Sequence, residues 1–112
     1  MWMTETDVKQ LLHFASVSAA QKAGIPEIAW NNLHELHRAI RHAQPRLYAA
    51  LEKFTQAYLA WFAFSLEIES TGKSGKLSIE ENSKLMRLVS ERDGSREQFI
   101  HELKDTSKAA QP

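Results

Sequence analysis

The chemically versatile side chains of this sequence are its five histidines and the arginines near them. His34 and His37 stand three positions apart in His34-Glu35-Leu36-His37, a spacing that places both imidazoles on one face of a helix. Two such rings bind a metal when a third donor arrives from elsewhere, and His13, His42 and His101 are the candidates. Arg38 and Arg41 share that face, however, and their charge opposes a cation. The cluster therefore reads as solvent-facing or interfacial, and no metal or other cofactor is expected. The triplet Gly72-Lys73-Ser74 invites comparison with a phosphate loop. That motif requires a glycine five positions before the second one, following a strand. Glu67 stands there, at the end of a helical segment, so the stretch reads as a polar loop.

Arg96-Glu97-Gln98-Phe99-Ile100-His101 separates an arginine from a histidine by four residues. In this spacing it resembles the HEPN ribonucleases, small all-helical dimers. The resemblance implies a composite RNA-cleaving site with Arg96 and His101 as its catalytic pair, although Glu97 stands where that family usually has Asn, Asp or His. A second stretch, Ala20 to Leu33, resembles a helix-turn-helix: Ala20, Gly24, Ile25, Trp30 and Leu33 fall where that motif packs its two helices. The resemblance implies a recognition helix offering Asn31, Asn32, His34 and Arg38 to bases and phosphates. A helical hairpin with a glycine turn carries the same signature for packing reasons alone.

Bulk charge restrains the nucleic-acid readings. The chain carries 14 basic and 14 acidic residues among its 112, whereas affinity for nucleic acid rests on neutralising many phosphates. One local basic patch stands out, from His34, His37, Arg38 and Arg41 towards Arg46 and Lys53, and it suits phosphates or an acidic protein surface. Cysteine is absent, which removes disulfides and thiolate metal sites and fits a reducing compartment. The first residues, MWMTETDVK, have neither a basic flank nor a long apolar core and do not read as a signal peptide. The most apolar run, Ala57 to Leu66, is well short of the ~20 residues that a bilayer requires. A cytoplasmic chain without membrane contact is expected.

The elements that must position these residues are helices. With so few Gly and Pro, four and three, the chain lacks the turns of an all-β fold. A first helix over 6–23 follows from Val8, Leu11, Leu12, Ala15 and Ala19, with Thr4 or Thr6 as cap and Gly24 as stop. A second over 26–43 carries Ala29, Leu33, Leu36, Ile40 and Ala43 and ends before Pro45. The third, about 45–69, holds the seam Leu47, Leu51, Phe54, Tyr58, Trp61, Ser65 and Ile68. Residues 70–77 form a flexible polar loop. Ser78 and Glu81 spell a capping box. Beyond it, Leu85, Leu88 and Val89 precede a break expected at Asp93-Gly94, giving helices over 78–92 and 95–108 as a hairpin or a single kinked helix, then a frayed tail over 109–112. The fold class is thus all-α, a four- or five-helix bundle in one domain around a central apolar helix.

That central helix is apolar on every face from Tyr58 to Leu66, and a helix apolar all round must be covered all round. Three modest neighbours leave a surplus, so Tyr58, Leu59, Trp61, Phe62, Phe64 and Leu66 are the expected interface with a protein partner or a second copy. The leading expectation is a non-enzymatic helical interaction module: a subunit, adaptor or small inhibitor of a larger complex. A nucleic-acid-associated protein, either a helix-turn-helix-like regulator or a small subunit of a nucleoprotein complex, stands second. A HEPN-like ribonuclease stands third.

Overall fold

The computed structural model describes residues 3–72 and 75–109. It is an all-α bundle of four α-helices, with no strand among the described residues. Helix α1 spans Glu5–Ala23, a 3-10 turn spans Glu27–Asn31, and α2, α3 and α4 span Leu33–Ala43, Pro45–Ser70 and Ile79–Ala109.

Local chemistry sets the ends of these helices. The Thr4 hydroxyl accepts from the Asp7 amide while the Asp7 carboxylate accepts from the Thr4 amide, a reciprocal cap that opens α1. Gly24 closes it at φ 77°, a left-handed conformation that glycine adopts without a Cβ clash. Pro45 begins α3, where its missing N–H costs nothing. Ser78 and Glu81 form the same reciprocal cap ahead of α4, both bonds at 3.1 Å.

Two expected boundaries are corrected. The segment 26–43 is not one helix, because Asn32 interrupts it in an extended conformation and caps α2 by accepting from the Glu35 amide. Asparagine competes with its own backbone for hydrogen bonds and so favours caps over helix interiors. What precedes it shrinks to the 3-10 turn, held where the Trp30 indole N–H donates to Ile25 O. Nor does the C-terminal segment break at Asp93-Gly94: α4 is continuous for 31 residues. Glycine inside a helix costs about 1 kcal/mol relative to alanine, less than the burial gained by Leu88 before it and Phe99 after it, both lying in the core. The helix also continues past Thr106, which is buried, to Ala109; residues 110–112 of the expected tail, and Lys73 and Ser74 of the expected loop, lie outside the described residues.

The register of α4 on α3 runs from Lys84 against Phe64, through Arg92 against Trp61 and Phe99 against Phe54, to Glu102 against Arg46. The two are antiparallel along their whole shared length. Helix α1 packs against them, with Val8, Ala15, Ala19 and Ala20 in the main core beside Leu36 and Ile40 of α2, Leu47, Leu51, Phe54, Tyr58 and Phe62 of α3, and Phe99 of α4. A smaller cluster of Phe64, Ile68 and Leu88 belongs to the α3–α4 hairpin alone. The result is elongated, 54 × 25 × 19 Å.

A Cβ at Gly94 would meet nothing within 4 Å, and its φ is not positive. Gly94→Ala therefore raises stability by about 0.5–1 kcal/mol, readable as a higher urea midpoint with an unchanged slope.

Candidate functional site

The side chains singled out by the sequence fall on three separate parts of the bundle. Arg96 and His101 both lie on α4, but five positions of helical rotation leave them about 140° apart around its axis. His101 Nε2 sits 3.2 Å from the Asp105 carboxylate one turn on, in an exposed pair. The expected catalytic pair does not converge within this chain.

The interface expected on α3 is largely consumed by the chain's own core. Tyr58, Phe62 and Phe64 are buried and Trp61 is half-buried. Arginine and lysine stems supply the cover that apolar residues alone could not. The Arg92 guanidinium lies 4.4 Å from the Trp61 ring centre and the Lys84 ammonium 4.6 Å from that of Phe64, so cations of α4 shield these aromatic faces. Arg92 also pairs with Asp93 at 3.0 Å. The Tyr58 hydroxyl donates to the Met3 sulfur at 3.2 Å, and burial pushes its pKa up against the opposing influence of Arg92 and Arg96. What remains outside is Leu59 and Leu66, 46% and 43% exposed.

The basic patch expected over Arg38, Arg41, Arg46 and Lys53 is divided. Arg46 reaches the buried Glu102 of α4 at 3.3 Å, and Glu102 also accepts from Gln98. Lys53 lines a cleft between α3 and α4 with Glu91, Gly94 and Ser95. Arg38 and Arg41 stay together, with Leu33, His34, His37 and Tyr48, around an open cleft of about 750 Å³ between α2 and the start of α3. Asn31 and Asn32, offered to bases by the helix-turn-helix resemblance, stand outside α2: the first ends the 3-10 turn and the second is the cap.

His37 anchors this cleft, and its partner is a residue that the sequence reading missed. Its Nε2 lies 2.9 Å from Ser16 Oγ of α1, and that hydroxyl also donates to Leu12 O at 3.1 Å. With its one proton given to Leu12, Ser16 accepts from an Nε2–H of His37. Tyr48 packs edge-on against the imidazole, ring centres 5.9 Å apart. Burial lowers the pKa of His37 below the usual 6.5, Glu52 opposes that shift, and His34 adds to it. A serine, a histidine and a nearby glutamate suggest a nucleophile and its base. Ser16 is 2% exposed, so no substrate reaches it; the pair ties α1 to α2. The signal was present in the sequence, since Ser16 falls among Leu12, Ala15 and Ala19 on the buried stripe of α1. A ring whose Nε2 is bonded to Ser16 also makes a poor metal ligand with His34, and among the described residues no group of three or more His, Cys, Asp or Glu could hold a metal ion.

No family model matches this chain, and neither the curated proteins nor the solved structures contain a match to it. No described helix is long and apolar enough to cross a membrane.

The lowered pKa of His37 links protonation to folding. The unfolded chain takes up this proton near the usual 6.5 and the folded chain only below it. The stabilisation is thus complete above 6.5, falls as pH drops through that value, and is lost once pH passes the lower folded value. His37→Gln keeps an amide donor for Ser16 and removes the titration. Its urea midpoint should decline less steeply than the parent's as pH falls below 6.5.

Proposed function

We propose that this chain is a cytoplasmic, non-enzymatic helical interaction module that acts by presenting one uncovered flank of α3 to a partner helix or to a second copy. The observation that carries the reading is where α2 stops. Tyr48, Glu52, Thr55, Leu59, Phe62 and Leu66 follow one another along α3 at spacings of four and three, so they form one ridge. His37 of α2 sits over the first part of it, beside Tyr48, Glu52 and Thr55. With 11 residues against the 26 of α3, α2 cannot follow the ridge to its end. Leu59 and Leu66 therefore emerge two turns apart on the flank that α2 has left, the second of them beside Met3 and Thr4 at the start of α1.

Apolar side chains at this spacing are the contacts that an amphipathic helix makes when it lies in a groove. A helix placed end-on to α2 would complete its layer and bury both leucines. Other large apolar side chains, Phe14 at 71% and Ile28 at 87% exposure among them, stand elsewhere on the surface; scattered exposure of that kind is ordinary. The ridge differs because it continues a seam that the fold already uses.

Exchanging Leu59 and Leu66 together for Glu keeps good helix formers at half-exposed positions and changes stability by about 1 kcal/mol or less. Sedimentation over a range of concentrations, alone and after affinity capture from the native host, should show an associated state for the parent. The double variant should run as a folded monomer. A parent that remains monomeric and captures nothing dependent on these leucines refutes the reading.

A further inference from the structure

The cleft between α2 and the start of α3 carries a charge that the rest of the fold does not neutralise. Some cations elsewhere have partners: Lys9 pairs with Glu5, Arg46 with Glu102, Arg92 with Asp93 and Trp61, and Lys84 lies on Phe64. Lys53, Arg87, Arg96 and Lys104 have no acidic partner among the described residues but do not line this cleft. Arg38 and Arg41 have no acidic partner among the described residues. They stand one turn apart at the cleft, its lining contains no carboxylate, and Leu33 and Tyr48 add apolar surface. The nearest acid on α3, Glu52, lines the neighbouring cleft on the far side of His37 and Tyr48, where it accepts from Gln56.

The cleft is also held open by its supports. His37 is fixed from behind by Ser16 and from the side by Tyr48, so binding need not order the wall that carries Arg38 and Arg41. Groups positioned in advance lose less entropy on association.

We infer that this cleft is a recognition site for a carboxylate-rich, amphipathic segment of a partner protein, with Arg38 and Arg41 taking its acidic side chains and Leu33 and Tyr48 an apolar one. The inference rests on the interaction-module reading and adds the partner's chemistry to it. Guanidinium groups match carboxylates in planar, two-bond geometry. A nucleic-acid backbone presents the same sign of charge but demands a row of cations. Here Arg46 is drawn to Glu102 and Lys53 stands in the α3–α4 cleft, so the row is missing. Leu33, 49% exposed, would also face phosphates without benefit.

The test uses the isotope-labelled full chain and follows its backbone amides by NMR. The probes are a synthetic helical peptide of leucine and glutamate in helical register, its lysine counterpart, a duplex DNA oligonucleotide and inorganic phosphate. Saturable shifts from the acidic peptide are expected at Leu33–Arg41 and around Tyr48, weakening with added salt. The lysine peptide should cause none. Arg38→Glu combined with Arg41→Glu should weaken the acidic peptide by about a hundredfold or more, while amides of α4 keep their positions and report an intact fold. Failure of the acidic peptide to bind, binding that survives the double exchange, or tighter binding of DNA or phosphate at the same amides each overturns the inference. The underlying reading is tested separately: if Leu59→Glu with Leu66→Glu abolishes association while the acidic peptide does not bind, only the partner's chemistry has been misassigned.

Discussion

The structure depends on how α4 covers α3. From Tyr58 to Leu66 the central helix offers aromatic or aliphatic surface in nearly every direction, and no single apolar stripe can mask it. Helix α4 does so by two means at once. Phe99 stacks on Phe54 with ring planes 6° apart, inside the main core, while Arg92 and Lys84 lay cationic groups over Trp61 and Phe64 towards the other end. The cationic cover allows a helix of low mean hydropathy to enclose one of high hydropathy. Contacts on both sides of Gly94 also hold α4 helical through it, and their combined burial exceeds the entropy that glycine costs.

A second constraint is the length of α2. Asn32 starts it late and Pro45 follows soon after its end, so its layer on α3 covers only part of the ridge from Tyr48 to Leu66. Leu59 and Leu66 are left on the surface beyond it. The Ser16–His37 bond ties α2 to α1 beside the apolar core that both helices share.

Much of the fold was legible in the sequence because its signals are local. Helical periodicity, the Thr4 and Ser78 caps, the stop at Gly24 and the start at Pro45 each depend on a few adjacent residues, whose backbone chemistry is the same in any context. The boundaries that were misread are those where local and tertiary preferences compete. Asn32 was hidden inside an apolar pattern that continued across it, and Gly94 looked like a stop until the packing of Leu88 and Phe99 was weighed against it. The candidate site was less legible. His34, His37, Arg38 and Arg41 were visible as one face, but neither Ser16 nor Tyr48 announces itself as a neighbour of His37, since both are distant in the chain.

The sequence by itself determined that the chain is helical, where most of its helices begin and end, and that its central helix carries more apolar surface than one seam requires. Those properties follow from side-chain spacing and from hydrogen bonds made within a turn or two. Only the tertiary structure decided which part of that surface stays uncovered. Cover depends on the lengths and registers of other helices, and on arginine and lysine stems whose contribution appears only once they lie across an aromatic ring. Of the six residues singled out on the central helix, only Leu59 and Leu66 stay exposed; Trp61 is half-buried and the chain folds over Tyr58, Phe62 and Phe64.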